Sequence, residues 1–164
     1  MKETAILRDI ARACMRMRWD EFPEEVRKRT LFALTDALIN CADGRRFEEF
    51  CGPLYRAAAK ADGIHVLLGT SGRGGSRDAV FYNTAAGSVT ARNDHHAGAD
   101  VHPGSVLVPA LLAAAEDTRC SGRQLLTALT AGYEIMIRMG LAIRNGKKFP
   151  PGASLRTSML PAPL

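Results

Sequence analysis

Apolar residues recur at the spacing of an α-helix through most of the chain. Residues 4–18 show this pattern first, with aliphatic side chains every three or four positions and arginines between them. A second helix is predicted to follow the acidic, proline-containing stretch at residues 23–25 and to end at Gly44, with Asp20 as its N-cap. The pattern therefore predicts two successive amphipathic helices at the N-terminus.

Two further helices are predicted in the middle of the chain. One covers residues 46–60, with Pro53 as a possible kink because proline removes a backbone donor. The other covers residues 78–91 and is rich in alanine, glycine and serine. Such small side chains would let a neighbouring helix approach closely.

The last two helices carry clear start signals. Pro103 suits a first helical turn, and residues 106–116 after it are almost uniformly apolar, which predicts a helix buried within a bundle. Ser121 and Gln124 form a capping-box pattern that opens a helix ending at Gly140 or Gly146.

Strand signals are scarce. Residues 64–68 form the one convincing strand candidate, in which His65 is predicted to be a packed histidine, and the glycine-rich residues 69–76 are predicted to be a flexible surface loop rather than a phosphate cradle. The prediction is an all-α bundle of about six helices with at most one short β-hairpin. It occupies residues 1–146, and the four prolines of residues 147–164 indicate an irregular tail.

Composition narrows the class of protein. The chain has 164 residues, 46% hydrophobic and 24% charged, which is typical of one globular domain that folds without a membrane. A net charge of +5 without basic blocks, and 6% aromatic residues, favours small acidic molecules over nucleic acid as partners. The four cysteines, which show no Cys-x-x-Cys pairing, are interpreted as core residues of a cytoplasmic protein.

Candidate chemistry is concentrated at residues 92–105, which hold three of the four histidines and two aspartates and lead into the helix at Pro103. The first amide groups of a helix have no partner within it and attract carboxylates. His102, just before that start, has the side chain best suited to exchange a proton near neutral pH. Asp94 and Asp100 are candidates to fix its tautomer.

Two other interpretations of this loop stay open. It suits a solvated connector. Its histidines and aspartates also suit a divalent metal, although their spacing matches no strong zinc signature.

The segments HPGSVLVPALLA at residues 102–113 and SGRQLLTALTAGYE at residues 121–134 resemble the MmgE/PrpD family, which contains 2-methylcitrate dehydratase and cis-aconitate decarboxylase relatives. The resemblance is sharp from about residue 94 to residue 140. It implies a cofactor-free lyase or isomerase for small di- or tricarboxylic acids, acting as a homodimer.

Carried onto this sequence, the resemblance implies His102 as acid or base and Asp94 as its orienter or a substrate contact. The amides of Gly104 and Ser105 would anchor a substrate carboxylate. Arg92, His96 and Lys148 are further candidates for substrate contacts, with a solvated surface position as the alternative for each, and no metal or cofactor is expected.

The sequence departs from the family pattern in three respects. Phe149 precedes Pro150 where the family has Phe-His-Pro, so the second active-site histidine is missing. Of the family's Asp-x-Asp-Asp arrangement only Asp94 has a counterpart, with Arg92 and His95 at the outer positions. Family chains are also longer, so this chain would be only the N-terminal portion, and the expected partner is a second copy in a homodimer or a second chain that completes the fold.

Three functions follow as hypotheses. The first is a truncated lyase acting on acids such as 2-methylcitrate or cis-aconitate. The second is a catalytically inactive helical remnant that serves as an association module. The third is a metal-dependent hydrolase that uses the His/Asp loop.

Overall fold

The computed structural model describes the backbone of residues 3–146 and the side chains of residues 8–144. Within this part of the chain, six α-helices form a bundle beside one two-stranded hairpin, which confirms the predicted all-α class. The helices are α1 (Glu3–Arg16), α2 (Glu24–Gly44), α3 (Glu48–Ala58), α4 (Ser76–Val89), α5 (Pro103–Thr118) and α6 (Gly122–Gly146). The predicted tail at residues 147–164, including Lys148 and Phe149, lies outside the described residues.

The start of α2 differs from its prediction. A short 3-10 helix, Trp19–Glu21, precedes it, and Pro23 rather than Asp20 occupies the N-cap position. The Asp20 carboxylate instead accepts a hydrogen bond from Arg123 on α6, at 2.6 Å. The prediction of Asp20 as N-cap was therefore wrong, because a partner distant in sequence binds its side chain.

The predicted capping box at the start of α6 is confirmed. The Ser121 amide donates to Gln124 Oε1 at 2.8 Å, and the Gln124 amide donates to Ser121 Oγ at 3.3 Å. The helix continues through Gly140, where the absence of a side chain admits the loop before α5: a Cβ at Gly140 would lie 2.7 Å from the Ala99 carbonyl oxygen. The predicted end at Gly140 is therefore wrong, and the helix reaches Gly146, the last residue that the structure describes.

The hairpin pairs β1 (His65–Val66) with β2 (Arg73–Gly74) in antiparallel register. Residues 69–76, predicted to be a surface loop, instead contain the hairpin turn, β2 and the first residue of α4. The buried Asn83 side chain joins the hairpin to α4, since it accepts from the Leu68 amide at 2.8 Å and donates to the Val66 carbonyl at 2.9 Å. His65 is packed as predicted, 4% exposed, with its Nε2 2.8 Å from Asp117.

Helix α4 lies at the centre of the bundle and packs against α2, α3 and α5. Its small residues allow the close approach that the sequence predicts: a Cβ at Gly44 of α2 would overlap the Ala86 carbonyl oxygen, and one at Gly87 would lie 2.8 Å from Cys41 Sγ. The Cys41 thiol donates to the Asn83 carbonyl at 3.2 Å, and its burial raises the pKa of the thiol to about 12. Cys41 is thus a core residue, as expected.

Tyr82, at the centre of α4, is 0% exposed, and its hydroxyl has no hydrogen-bond partner within the described part of the chain. A buried hydroxyl without a partner costs about 1–3 kcal/mol. We expect Tyr82→Phe to raise the free energy of unfolding by about 1 kcal/mol, measured by urea denaturation. A loss of stability would show instead that the hydroxyl is satisfied, for example by an ordered water.

Candidate active site

The candidate site surrounds the start of α5. As predicted, Pro103 is the first helical residue, and His102 occupies the N-cap position, where its side chain makes no capping hydrogen bond. Pro103, Gly104 and Ser105 are all buried. The start of this helix therefore lies inside the protein, where its amide groups need partners from the chain or from a ligand.

Asp94 provides the partner for one of those amides. Its Oδ1 accepts a hydrogen bond from the Gly104 amide at 2.9 Å, and its Oδ2 accepts one from the Tyr133 hydroxyl of α6 at 2.7 Å. The carboxylate that Gly104 binds thus belongs to the chain itself, which differs from the expectation that this amide anchors a substrate.

Burial dominates the electrostatics of this pair. It raises the pKa of Asp94 above its ordinary value and outweighs the hydrogen bonds from Tyr133 and Gly104, which act in the opposite direction. Burial, together with the adjacent Asp94, also raises the pKa of Tyr133. Tyr133 therefore stays a neutral donor, and Asp94 is costly to ionise and depends on its two donors.

The ring of His102 is held by the main chain. Its Nδ1 lies 2.8 Å from the carbonyl oxygen of Asp94, and since a carbonyl can only accept, this nitrogen carries a proton. In the neutral ring, Nε2 then bears the lone pair, and no described residue binds that nitrogen. The expectation that the carboxylates of Asp94 and Asp100 fix this tautomer is corrected, because the Asp94 carbonyl does so and Asp100 lies 3.4 Å from His95.

The His102 ring also stacks on His95, with ring centroids 4.6 Å apart and ring planes inclined by 23°. The buried Ser105 hydroxyl donates to the His102 carbonyl at 3.2 Å and accepts a hydrogen bond from the side-chain Nδ2 of Asn93 at 3.1 Å. These contacts fix the backbone on both sides of His102. They also show that the Ser105 side chain is engaged within the loop.

The remaining predicted residues lie at different distances from this centre. His96 is half-buried, and its Nδ1 accepts from the Ala99 amide at 3.0 Å within a tight turn. The Arg92 side chain is 71% exposed and lies 3.8 Å from Asp43 at the end of α2. The structure thus brings His96 to the site and places Arg92 in a surface ion pair.

A cleft of about 760 Å³ opens beside the site, between α2, α6 and the His/Asp loop. His95, His96, Asp94 and Tyr133 line it, whereas His102 is not among the described residues that do so. The expectation that the His102 ring faces the cavity directly is therefore corrected, since it is His95, stacked on His102, that lines the cleft.

The charges around this cleft are mostly negative. Its lining contains four carboxylates and one arginine, namely Glu25, Asp36, Asp94, Glu134 and Arg29. Arg29 is already paired with Glu25 at 2.8 Å. The described part of the cleft therefore offers no unpaired arginine or lysine to an anionic substrate.

Among the described residues, no three histidine, cysteine, aspartate or glutamate side chains are grouped so that they could hold a metal ion. His95 and His96 each bond within their own turn, and Asp94 bonds Gly104 and Tyr133. This arrangement offers no support for the metal-dependent hydrolase.

Sequence reasoning missed two residues of the site. Tyr133 received no role beyond its place in the last predicted helix, and Asn93 received none. The available signal for Tyr133 was its place in the Gly-Tyr-Glu segment that carries the family resemblance. Asn93 had no such signal, because its partner Ser105 is identified only once the loop is folded.

Comparison with known proteins identifies the family of the chain. The model of the MmgE/PrpD N-terminal domain matches residues 8–158. A cis-aconitate decarboxylase-like protein from Aspergillus oryzae is 30% identical over 136 residues, which cover 75% of this chain and 27% of the relative. The chain thus spans about a quarter of the length of that curated relative. No solved structure matches significantly. Since the family match covers most of the sequence, the chain belongs to the MmgE/PrpD family.

Proposed function

We propose that this chain carries the acid–base part of a lyase site for small di- or tricarboxylic acids, with His102 as the group that exchanges the proton. The observation that carries the proposal is the hydrogen bond from His102 Nδ1 to the Asp94 carbonyl, at 2.8 Å. It leaves Nε2 with a lone pair beside the start of a buried helix. Membership of a family with a cis-aconitate decarboxylase-like relative supports the substrate class.

The chemistry needs little more than a positioned base and charge compensation. A dehydratase removes a proton next to a carboxylate and expels hydroxide, and a decarboxylase loses carbon dioxide and reprotonates the carbon. An imidazole serves either reaction because it gains and loses a proton near neutral pH. His95 lines the cleft and stacks on the His102 ring, which itself does not line the cleft, and we propose that direct proton transfer requires a movement of His95.

Charge compensation is proposed to come from a second copy of this chain, which is present in an assay of the wild type. The carboxylates of the described cleft outnumber its one arginine, and that arginine is paired. Helix α6 is only partly covered in the described chain: few of its residues are fully buried, most are half-buried, and its apolar Met139 is 41% exposed. It is also the one described helix long and apolar enough, by length and composition alone, to cross a membrane. A partner that covers α6 would lie next to the cleft and complete it.

The test is a turnover assay with 2-methylcitrate, citrate and cis-aconitate as separate substrates, following the unsaturated product and carbon dioxide. We expect the wild-type chain to form product from at least one acid. His102→Gln should lower the rate about a hundredfold, the usual contribution of a positioned acid–base group. His65→Gln is the matched control, since His65 lies on the hairpin and bonds Asp117.

A second function, the inactive association module, is favoured by the exposed side chains of α2. Phe32 is 72% exposed and Ile39 is 62% exposed, and they lie seven residues apart on one face of the helix. Absence of product from all three acids, combined with self-association in light scattering, would select this function.

In the turnover assay, equal rates for the wild type and His102→Gln would reject His102 as the acid–base group.

A further inference from the structure

The Asp94 carboxylate accepts hydrogen bonds from two different helices. The Gly104 amide of α5 donates to one oxygen at 2.9 Å and the Tyr133 hydroxyl of α6 donates to the other at 2.7 Å. We call these three groups the Asp94 clamp. It fixes the loop before α5 relative to the packing of α5 on α6.

The clamp is tightly packed as well as hydrogen-bonded. A Cβ at residue 104 would lie 2.8 Å from Asp94 Oδ1 and 2.8 Å from the Tyr133 hydroxyl. Real Cβ atoms do not approach other atoms this closely, so only glycine admits both partners at this position. The Asp94 carboxylate and the Tyr133 hydroxyl therefore both pack directly against the backbone of Gly104.

The link from the clamp to His102 runs through the main chain. Both carboxylate oxygens of Asp94 are engaged, whereas its carbonyl oxygen accepts the proton of His102 Nδ1 at 2.8 Å. Any rotation of residue 94 that follows loss of the clamp would move this carbonyl. The contact between residue 94 and the ring of residue 102 is thus made by the main chain, while the side chain of residue 94 contacts α5 and α6.

We infer that Tyr133 is a positioning residue for His102: by donating to Asp94 Oδ2, it holds the Asp94 carbonyl that keeps the proton of the neutral His102 ring on Nδ1. The importance of this tautomer for catalysis rests on the function proposed above. The tautomer itself is a property of the folded chain and is measurable without turnover.

The experiment is nitrogen-15 NMR of the full chain, with long-range correlations from the carbon-bound protons of the His102 ring to Nδ1 and Nε2. Spectra are recorded at a pH where the ring is neutral, and His102→Gln assigns the signals. The wild type should show a protonated Nδ1 and an unprotonated Nε2, with widely separated shifts. In Tyr133→Phe both tautomers should be populated, so the two shifts should move towards each other.

Tyr82→Phe is the matched control. It removes the hydroxyl of another tyrosine in the bundle, one that has no partner among the described residues, and it should leave the His102 shifts unchanged. A folded Tyr133→Phe chain with wild-type shifts would overturn the inference, because the hydroxyl would then be only a satisfied core group.

Asp94→Ala gives a second route to the same answer should Tyr133→Phe fail to fold. It keeps the carbonyl of residue 94 but removes both oxygens that accept from Gly104 and Tyr133. We expect the His102 shifts to converge in this variant too, and wild-type shifts in a folded Asp94→Ala chain would again contradict the inference.

The turnover assay distinguishes this inference from the proposed function. If the wild type forms no product but Tyr133→Phe changes the tautomer, the positioning role holds and the lyase proposal fails. If Tyr133→Phe loses activity while the tautomer stays on Nδ1, the lyase proposal stands and the positioning role is wrong.

Discussion

Replacing Gly44 by alanine is expected to destabilise the chain by about 3 kcal/mol or more, at the upper end of the usual cost of overpacking. The added methyl group would overlap the Ala86 carbonyl oxygen and would also lie 2.9 Å from the Ala86 Cα. These atoms belong to the backbone of α4, so no side chain can rotate away. Relief requires α2 to separate from the central helix, which would disturb the packing around Cys41 and Gly87.

The measurement is urea denaturation followed by circular dichroism, and Gly122→Ala is the control. A Cβ at Gly122, the first residue of α6, would meet nothing within 4 Å. That change should be neutral or slightly stabilising, because alanine restricts the unfolded chain and favours helix. If Gly44→Ala cost less than about 1 kcal/mol, the crossing of α2 and α4 would be looser than the structure shows.

The accuracy of the sequence predictions depended on where the partners of each residue lie. Ser121 and Gln124 bind each other across one helical turn, so their capping box was readable from the sequence. Asp20 had the same local potential for a cap, but its partner Arg123 is 103 residues away. Residues 69–76 were misjudged for a related reason, since β2 exists only through pairing with β1.

In the candidate site too, features that depend on neighbouring residues were predicted and features that depend on distant residues were not. The helix start at Pro103 and the position of His102 before it follow from local signals. The hydrogen bond between Tyr133 and Asp94 spans 39 residues and depends on how α6 packs against α5. For this reason the sequence indicated the chemistry of the loop but not that Asp94 acts on His102 through its main-chain carbonyl.

Asp94→Ala is expected to lower the free energy of unfolding by about 3 kcal/mol. It removes the acceptor from two donors at once, the buried Gly104 amide and the Tyr133 hydroxyl, and each unsatisfied buried donor costs about 1–3 kcal/mol. Asp94→Asn should cost less than Asp94→Ala, because its amide oxygen still accepts one of the two hydrogen bonds. Equal losses for both variants would contradict this expectation, because asparagine keeps the volume of the side chain and one accepting oxygen and would then stabilise the loop no better than alanine.

The pH dependence of the stability difference between the wild type and Asp94→Asn provides an independent check. Burial raises the pKa of Asp94 in the folded chain above its ordinary value of 3.8, so the folded chain holds this proton more tightly than the unfolded chain does. The contribution of Asp94 to stability is therefore largest below pH 3.8 and is lost as the pH rises through the higher folded pKa. The free energy of unfolding of the wild type relative to that of Asp94→Asn should fall between pH 3.8 and the higher folded pKa of Asp94, and it should level off above that pKa. A difference that instead grew with pH would show that the donors from Gly104 and Tyr133 outweigh burial and hold this pKa below its ordinary value.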